Sequence, residues 1–349
     1  MAQRRFRVWV ERPIEKITHD RLVKELGNGD GEHQFGLYTT ARLHLIENIL
    51  PQIRAVLPNL TDHGPEHVAR VLDNAGQLLN IEENPHALTA MELYSLILAI
   101  LFHDTGNIFG RDDHQHKVSR IYDFCRSAAG NYSREKFIVL KATEAHCGET
   151  SSGSNDTIRD LPPDPVSVFN RPVHLRSVAA VLRFADELAE GRNRTSIFMQ
   201  KHKLYRKNSA IFHSYADSTT VAIDPGNNRI ALTYDIGVKS NRSGDVSTSE
   251  ESRIEKLLVY IYQRISKLDQ ERKYARHYCI HLQPLMYTTI TFNFWISGQV
   301  HGLGLPQQFT LTDLVVPGET ERQLYEYDNL YAVNDVIDKI KTVARGGTI

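Results

Sequence analysis

The chain has 349 residues, and its 41 basic and 42 acidic side chains give a formal net charge of −1. That length can bury one large core or two, and the charge balance excludes a global field that would draw the chain to nucleic acid or membrane, leaving only local patches. The three cysteines, Cys125, Cys147 and Cys279, form no CxxC pair, which argues against a disulfide framework or an all-thiolate zinc site.

The first residues, Met1 to Arg7, are basic but have no long apolar run behind them, so no signal peptide is expected. Residues 1–35 mix polar, charged and glycine residues and read as an irregular lead-in. From Thr39 to Leu57 apolar residues recur at helical spacing until Pro58-Asn59. A second helix starts at Gly64-Pro65, with proline where the first turn favours it. Its buried stripe is Val68, Val71, Leu72, Ala75, Leu78 and Leu79, with His67 at the edge in the first turn. A third runs from Thr89 to His103 and stops near Gly106. Its apolar stretch from Leu96 to Phe102 is far too short to span a bilayer, so the expectation is a cytoplasmic protein with no membrane contact. Further helices are expected over Gln115–Ala128, Arg134–Cys147 and Pro172–Gly191, with a Ser/Gly/Asp-rich loop and Pro162-Pro163-Asp164-Pro165 before the last of them.

Beyond residue 205 the character changes. Ala210–Ser214 and Thr219–Ile223 read as strands. Asp224-Pro225-Gly226-Asn227-Asn228 reads as a turn and Arg229–Ile236 as the returning strand of a hairpin. Val238–Glu251 is polar, Arg253–Tyr274 is an amphipathic helix, Tyr287–Ile296 is rich in β-formers, and Asn334–Ala344 is a last helix. The reading is therefore mainly α: a lead-in at 1–35, a helical domain at 36–205, and a smaller α+β accessory region at 206–349, read as an interaction or homo-oligomerisation module, with a lid or a regulatory ligand site as alternatives.

The chemistry concentrates where apolar runs end in polar residues. His103-Asp104 closes the run Ile97 to Phe102, and burying an ionised carboxylate beside an imidazole is costly unless something compensates. A divalent cation is the usual compensation, and the candidates for an imidazole–carboxylate site are Mn, Fe, Co, Ni, Zn or Mg. His67, His103, Asp104, His146 and Asp186 fall on or near the ends of separate helices, only His103 and Asp104 sharing one, and inward-facing side chains of a bundle can meet on one ion. Each has a bland reading too: a cap for His67, a half-buried imidazole for His146, an arginine-paired acid for Asp186.

The ordered set His67-Val68-Ala69-Arg70-Val71, Leu101-Phe102-His103-Asp104-Thr105-Gly106 and Arg183-Phe184-Ala185-Asp186 resembles the HD superfamily of metal-dependent phosphohydrolases over about residues 40–195. Thr61-Asp62-His63-Gly64-Pro65-Glu66-His67 is similar to the branch found in bacterial conflict and signalling proteins, some coupled to ATPase modules. The resemblance implies an HD-type helical bundle holding one or two divalent ions through the early His, the His-Asp dyad and the late Asp. Ala142 to Gly148 resembles the family's third-histidine segment, with Cys147 where a second His is common.

On that reading a bound cation acidifies a water molecule against a phosphate ester. Asp104 helps position that water, and His63 supports a ligand from behind, caps its helix, binds a second ion or passes a proton to the leaving group. His114 and His116 serve a second ion, grip a phosphate, pass a proton to the leaving group, or are merely solvated. Arg70, Arg111, Lys117, Lys141 and Arg183 are the cations available to a phosphate. His174 is structural or exposed. The expected activity is hydrolysis of a nucleotide or related phosphate ester. The alternatives are phosphodiester cleavage of a cyclic nucleotide or single-stranded nucleic acid, for which Arg192, Arg194, Lys201, Lys203, Arg206 and Lys207 supply a basic stretch, or a silent scaffold that senses a nucleotide or docks an ATPase partner.

Overall fold

The computed structural model describes residues 9–126, 132–150, 152–313 and 324–347. The chain forms two compact units. One comprises residues 1–189 with 274–283, the other residues 190–273 with 284–349.

The first unit is helical. α1 (Pro13–Leu26) and α2 (Asn28–His44) pack on each other, and α1 with the first half of α2 lies inside the segment expected to be an irregular lead-in. Their apolar periodicity is weak because the shared interface is partly polar. Glu15 is fully buried, accepting from Trp9 Nε1, the Arg12 backbone and Tyr38 Oη and pairing with Arg42, so its charge is met on every side. The expected helix at 39–57 is the end of α2, a π-helical turn at Leu45–Ile49, and α3 (Leu50–Val56). Pro51 lacks the N–H that a continuous helix needs, which accounts for the wider turn before it.

α4 (Pro65–Leu78) turns Val68, Val71, Leu72, Ala75 and Leu78 inward, as its spacing predicts. α5 (Ala90–Phe102) is buried on every side and packs against α1, α7 (Ser133–Ala145) and α8 (Leu175–Glu187). α6 (Ser119–Arg126) is shorter than expected, a 3₁₀ turn at His114–His116 standing where a helix start was read, and residues 127–128 lie outside the described residues. Before α8 the chain makes a small hairpin, β1 (Val166–Val168) with β2 (Arg171–Val173), turned by Phe169 and Asn170 at positive φ; α8 therefore begins at Leu175 rather than Pro172. Among the described residues no single helix is long and apolar enough to cross a membrane.

α5 begins with a reciprocal cap: Glu92 N donates to Thr89 Oγ1, and Glu92 accepts from Thr89 N and Oγ1. Glu92 also accepts from the backbone N–H and Nδ1 of His174, so His174 has a structural task at the start of α8. Burial works to raise the Glu92 carboxyl, but these donors hold it below the ordinary value of 4.5. Glu92→Gln is expected to destabilise the fold at pH 7 by about 1.5–3 kcal/mol, the range for hydrogen bonds to a charged group. Because the folded carboxyl is depressed, the stabilisation is complete above the unfolded value and disappears as pH falls through the folded one. Urea unfolding of both proteins should show the gap closing below about pH 4.5; a gap that widens on acidification would contradict this account.

The second unit is α+β. It opens with a short helix, α9 (Ile197–Lys201), then α10 (Ala210–Ser218), where a strand was expected. Five residues were too few to separate period two from period 3.6; the buried positions Ser209, His213 and Ala216 follow the helical one. β3 (Thr219–Asp224) and β4 (Arg229–Val238) form the expected antiparallel hairpin. α11 (Thr248–Tyr278) begins inside the stretch read as polar, and its residues from 274 belong to the first unit. It buries Ile254, Leu257, Leu258, Ile261, Tyr262 and Ile265 and connects β4 to β5 (Tyr287–Ile296), which pairs parallel with it, Arg229 opposite Tyr287. β6 (Gln299–His301) and β7 (Phe309–Leu311) pair antiparallel with β5. After α12 (Leu324–Tyr327), α13 (Val333–Ala344) covers the expected last helix and packs on β5.

Candidate metal centre

Three helices of the first unit end at one place. His103 caps the C-terminus of α5, His146 caps that of α7, and Asp186 lies in the last turn of α8. Helix C-termini carry partial negative charge, so three of them together favour a cation. α4 starts there, with His67 in its first turn. Farther along, α4 also meets α8: Asn74 Nδ2 donates to the Ala185 carbonyl at 2.9 Å, fixing the backbone beside Asp186.

His67 Nε2 stands 3.3 Å from His103 Nε2, 3.1 Å from Asp186 Oδ1 and 3.5 Å from Asp104 Oδ2. His103 Nε2 is 3.3 Å from Asp104 Oδ2 and 3.6 Å from Asp186 Oδ1. The four donors lie within 4.8 Å of one another, a grouping that can hold a metal ion. Nitrogen and carboxylate ligands at about 2.1 Å from an ion stand roughly 3–3.5 Å from their neighbours, so the residues fit the group.

The histidine tautomers agree. His63, His103, His114 and His146 each place Nδ1 on a backbone carbonyl: those of Thr61, Ile100, Arg111 and Thr143. A carbonyl oxygen only accepts, so Nδ1 carries the proton and Nε2 is left to bind whatever lies inward. His67 Nδ1 is buried without a hydrogen-bond partner among the described residues.

Without a cation a proton answers the two carboxylates. Burial works against protonating His103, but Asp104 and then Asp186 hold its pKa up to about 10. Burial likewise works to raise Asp104 and Asp186, yet both sit well below the ordinary carboxylate value. His103 and His63 outweigh burial at Asp104, and hydrogen bonds from His103 and His67 outweigh it at Asp186. His146 is pushed down to about 4 by burial and by His103.

The five expected ligands do not form one set. His146 groups with His114 and Cys147, whose donor atoms also lie within 4.8 Å of one another. Asp104 stands between the two groups. Its Oδ2 faces His63, at 3.7 Å, with His67 and His103; its Oδ1 faces His114 Nε2 at 3.1 Å and His146 Nε2 at 4.0 Å. Asp104 starts a 3₁₀ turn with φ −105° and ψ 0°, and Asn107 Nδ2, fully buried, donates to its Oδ1. Sequence reasoning missed Asn107, whose signal was only its place three residues after the acid, and missed what Gly106 does. A Cβ on Gly106 would lie 1.9 Å from the His114 carbonyl, so only glycine lets the His114 turn approach Asp104.

The remaining candidates scatter. Arg111 reaches the edge of the cluster, its Nη1 3.9 Å from Asp104 Oδ1 and 3.2 Å from Asn107 Oδ1, with the side chain 49 % exposed. Arg70, one turn after His67, is half-buried. Arg183 is engaged elsewhere, donating to Thr157 Oγ1 at 2.9 Å and lying over the Tyr274 ring. His116 is exposed and faces Glu144, which pairs with Lys141; Lys117 donates to the Asp112 carbonyl. His116 thus belongs to neither donor group.

Residues 57–267, more than half of the chain, match the family described as HD-CE. The chain belongs to the HD-CE family. The match covers α4 to α8, and with them every donor of the two groups, but not α1 or α2. No curated protein and no solved structure matches the chain. This HD-CE protein thus combines an HD-type domain with buried His/Asp groups that can hold metal.

Proposed function

We propose that this protein is a metal-dependent phosphohydrolase acting on a nucleotide or related phosphate ester. The observation that supports the reading most is the convergence of His67, His103, Asp104 and Asp186 within 4.8 Å, with His103 held by its Nδ1 in the ligating tautomer. A divalent cation held by these four supplies Lewis acidity toward a phosphate oxygen and a water that ionises near neutral pH.

The chain's own groups do the rest. Arg111, half-exposed at the edge of the cluster, neutralises a phosphate oxygen where charge develops. Arg70, one helical turn after His67, is a second cation for the phosphate. His63, 8 % exposed and anchored through Nδ1, presents Nε2 beside Asp104 and takes or returns a proton. The buried walls around Asp104 keep bulk water from screening these charges.

The test is purification in the presence of Mn²⁺ or Ni²⁺ and a screen of nucleotides for released phosphate or pyrophosphate. Turnover that disappears in His103→Ala with the fold retained is the expected result. Tight nucleotide binding without turnover across several metals would instead select a silent sensor.

A second reading, cleavage of single-stranded nucleic acid, draws on the second unit. From Gly191 to Ala216 there is no acidic residue. Lys201, Lys203, Arg206 and Lys207 are exposed beside an exposed Phe198, the pairing of cations with an aromatic that strand binding uses. Cutting of an oligonucleotide that is lost in Lys203→Ala/Arg206→Ala would favour it.

A further inference from the structure

The second donor group differs from the first in one atom type. His114 Nε2, His146 Nε2 and Cys147 Sγ lie within 4.8 Å of one another, and Sγ is 3.9 Å from His114 Nε2. Both imidazoles are held by Nδ1 on backbone carbonyls, Arg111 for His114 and Thr143 for His146, so both Nε2 atoms face inward. Asp104 Oδ1 is directed at the same place while Oδ2 serves the first group. Thiolate and imidazole bonds to zinc are about 2.3 Å and 2.0 Å, so one ion can bridge the 3.9 Å between Cys147 Sγ and His114 Nε2. Gly148, at φ +80°, turns the chain out of α7 directly after Cys147.

We propose that Cys147 is a metal ligand: with His114, His146 and the shared Asp104 carboxylate it forms a second cation position that selects a thiophilic ion such as Zn²⁺, Co²⁺ or Fe²⁺ over Mn²⁺ or Mg²⁺. The inference rests on the metal-dependent reading above and adds that the two positions have different chemistry. The first offers nitrogen and oxygen only and accepts borderline and hard ions alike; the second carries sulfur, a soft donor. Binding releases the thiol proton to solvent as the metal–sulfur bond forms. The competing role for Cys147 is a weak S–H donor to His114 Nε2, which involves no metal.

Cobalt(II) separates the two roles, because a thiolate ligand gives an intense near-ultraviolet sulfur-to-cobalt charge-transfer band that nitrogen and oxygen ligands lack. Cys125 and Cys279 are buried away from both donor groups, so the band reports Cys147 alone. Full-length metal-stripped protein loaded with Co²⁺ should bind about two equivalents, one per donor group, and show the band. Cys147→Ser should lose the band and about one equivalent, and Cys147→His should recover the second equivalent without the band. Mn²⁺ should fill about one equivalent in the wild type. A wild type that binds cobalt without the band, or a Cys147→Ser protein that keeps it, overturns the proposal. Asp186→Asn tests the first position separately: stoichiometry unchanged in that variant counts against the His67–His103–Asp104–Asp186 site, while the band still decides the role of Cys147. A wild type that binds no cobalt overturns both.

Discussion

Asp104→Asn is expected to lower phosphate release by at least about a thousandfold, the upper end for losing one preorganised electrostatic group, and to strip both cation positions of metal. The residue is singular because its two oxygens face different partners: Oδ2 looks to His63, His67 and His103, Oδ1 to His114 and His146. Asparagine keeps the shape and can still accept from Asn107 Nδ2, so the turn that begins there survives. The charge does not, and each ion loses an anionic donor. The metal-free protein loses the carboxylate that contributes most to holding the His103 pKa up, and only Asp186 remains to oppose its burial. Metal analysis, circular dichroism and a phosphate-release assay on the same preparation check the prediction together. A folded Asp104→Asn protein within tenfold of wild-type turnover would refute the catalytic reading.

Gly106→Ala is the second. The added methyl would lie 1.9 Å from the His114 carbonyl oxygen, and that contact is with backbone, which has no rotamer to give way. The turn carrying His114 must move, at a cost of about 1–3 kcal/mol or more, as for other overpacked sites. Because His114 Nδ1 is tied to the Arg111 carbonyl, its ring moves with that turn and withdraws Nε2 from Asp104. The expected result is a lower urea midpoint together with cobalt stoichiometry falling toward the first position alone, while the donors on α4 and α8 hold their ion. An unchanged midpoint would mean the approach of the two turns is looser than the geometry has it.

Much of the centre was legible because helices punctuate their ends visibly. A polar dyad after an unbroken apolar run marks a helix terminus that faces the interior, and His103-Asp104 behaves so. Asp186 was readable for the same reason, an acid on an otherwise apolar face. His114 and His116 were indistinguishable as neighbours in one polar loop. In a 3₁₀ turn residues two apart point in widely different directions, so His114 is buried against Asp104 and His116 is exposed beside Glu144. Arg183 stands three residues before Asp186 in sequence, but a loop brought back by distant chain, Asn155 to Thr157, takes its guanidinium. Helices α1 and α2 escaped because they bury polar side chains, Glu15 and Thr18 among them, whose partners come from residues up to 27 positions away.

The sequence by itself determined the residue types, their order, and the helix ends on which His67, His103, Asp104, His146 and Asp186 would sit. Helix periodicity and the energetic cost of a buried charge are local properties, and they can be read along the chain one segment at a time. Only the tertiary structure decided that these donors divide into two groups about Asp104 and that Cys147 joins the second. Which nitrogen of each imidazole faces inward depends on a backbone carbonyl fixed by its turn, and which oxygen of Asp104 meets which ring depends on how α4, α5, α7 and α8 pack. Those are relations between segments far apart in the chain, set by close packing rather than by spacing.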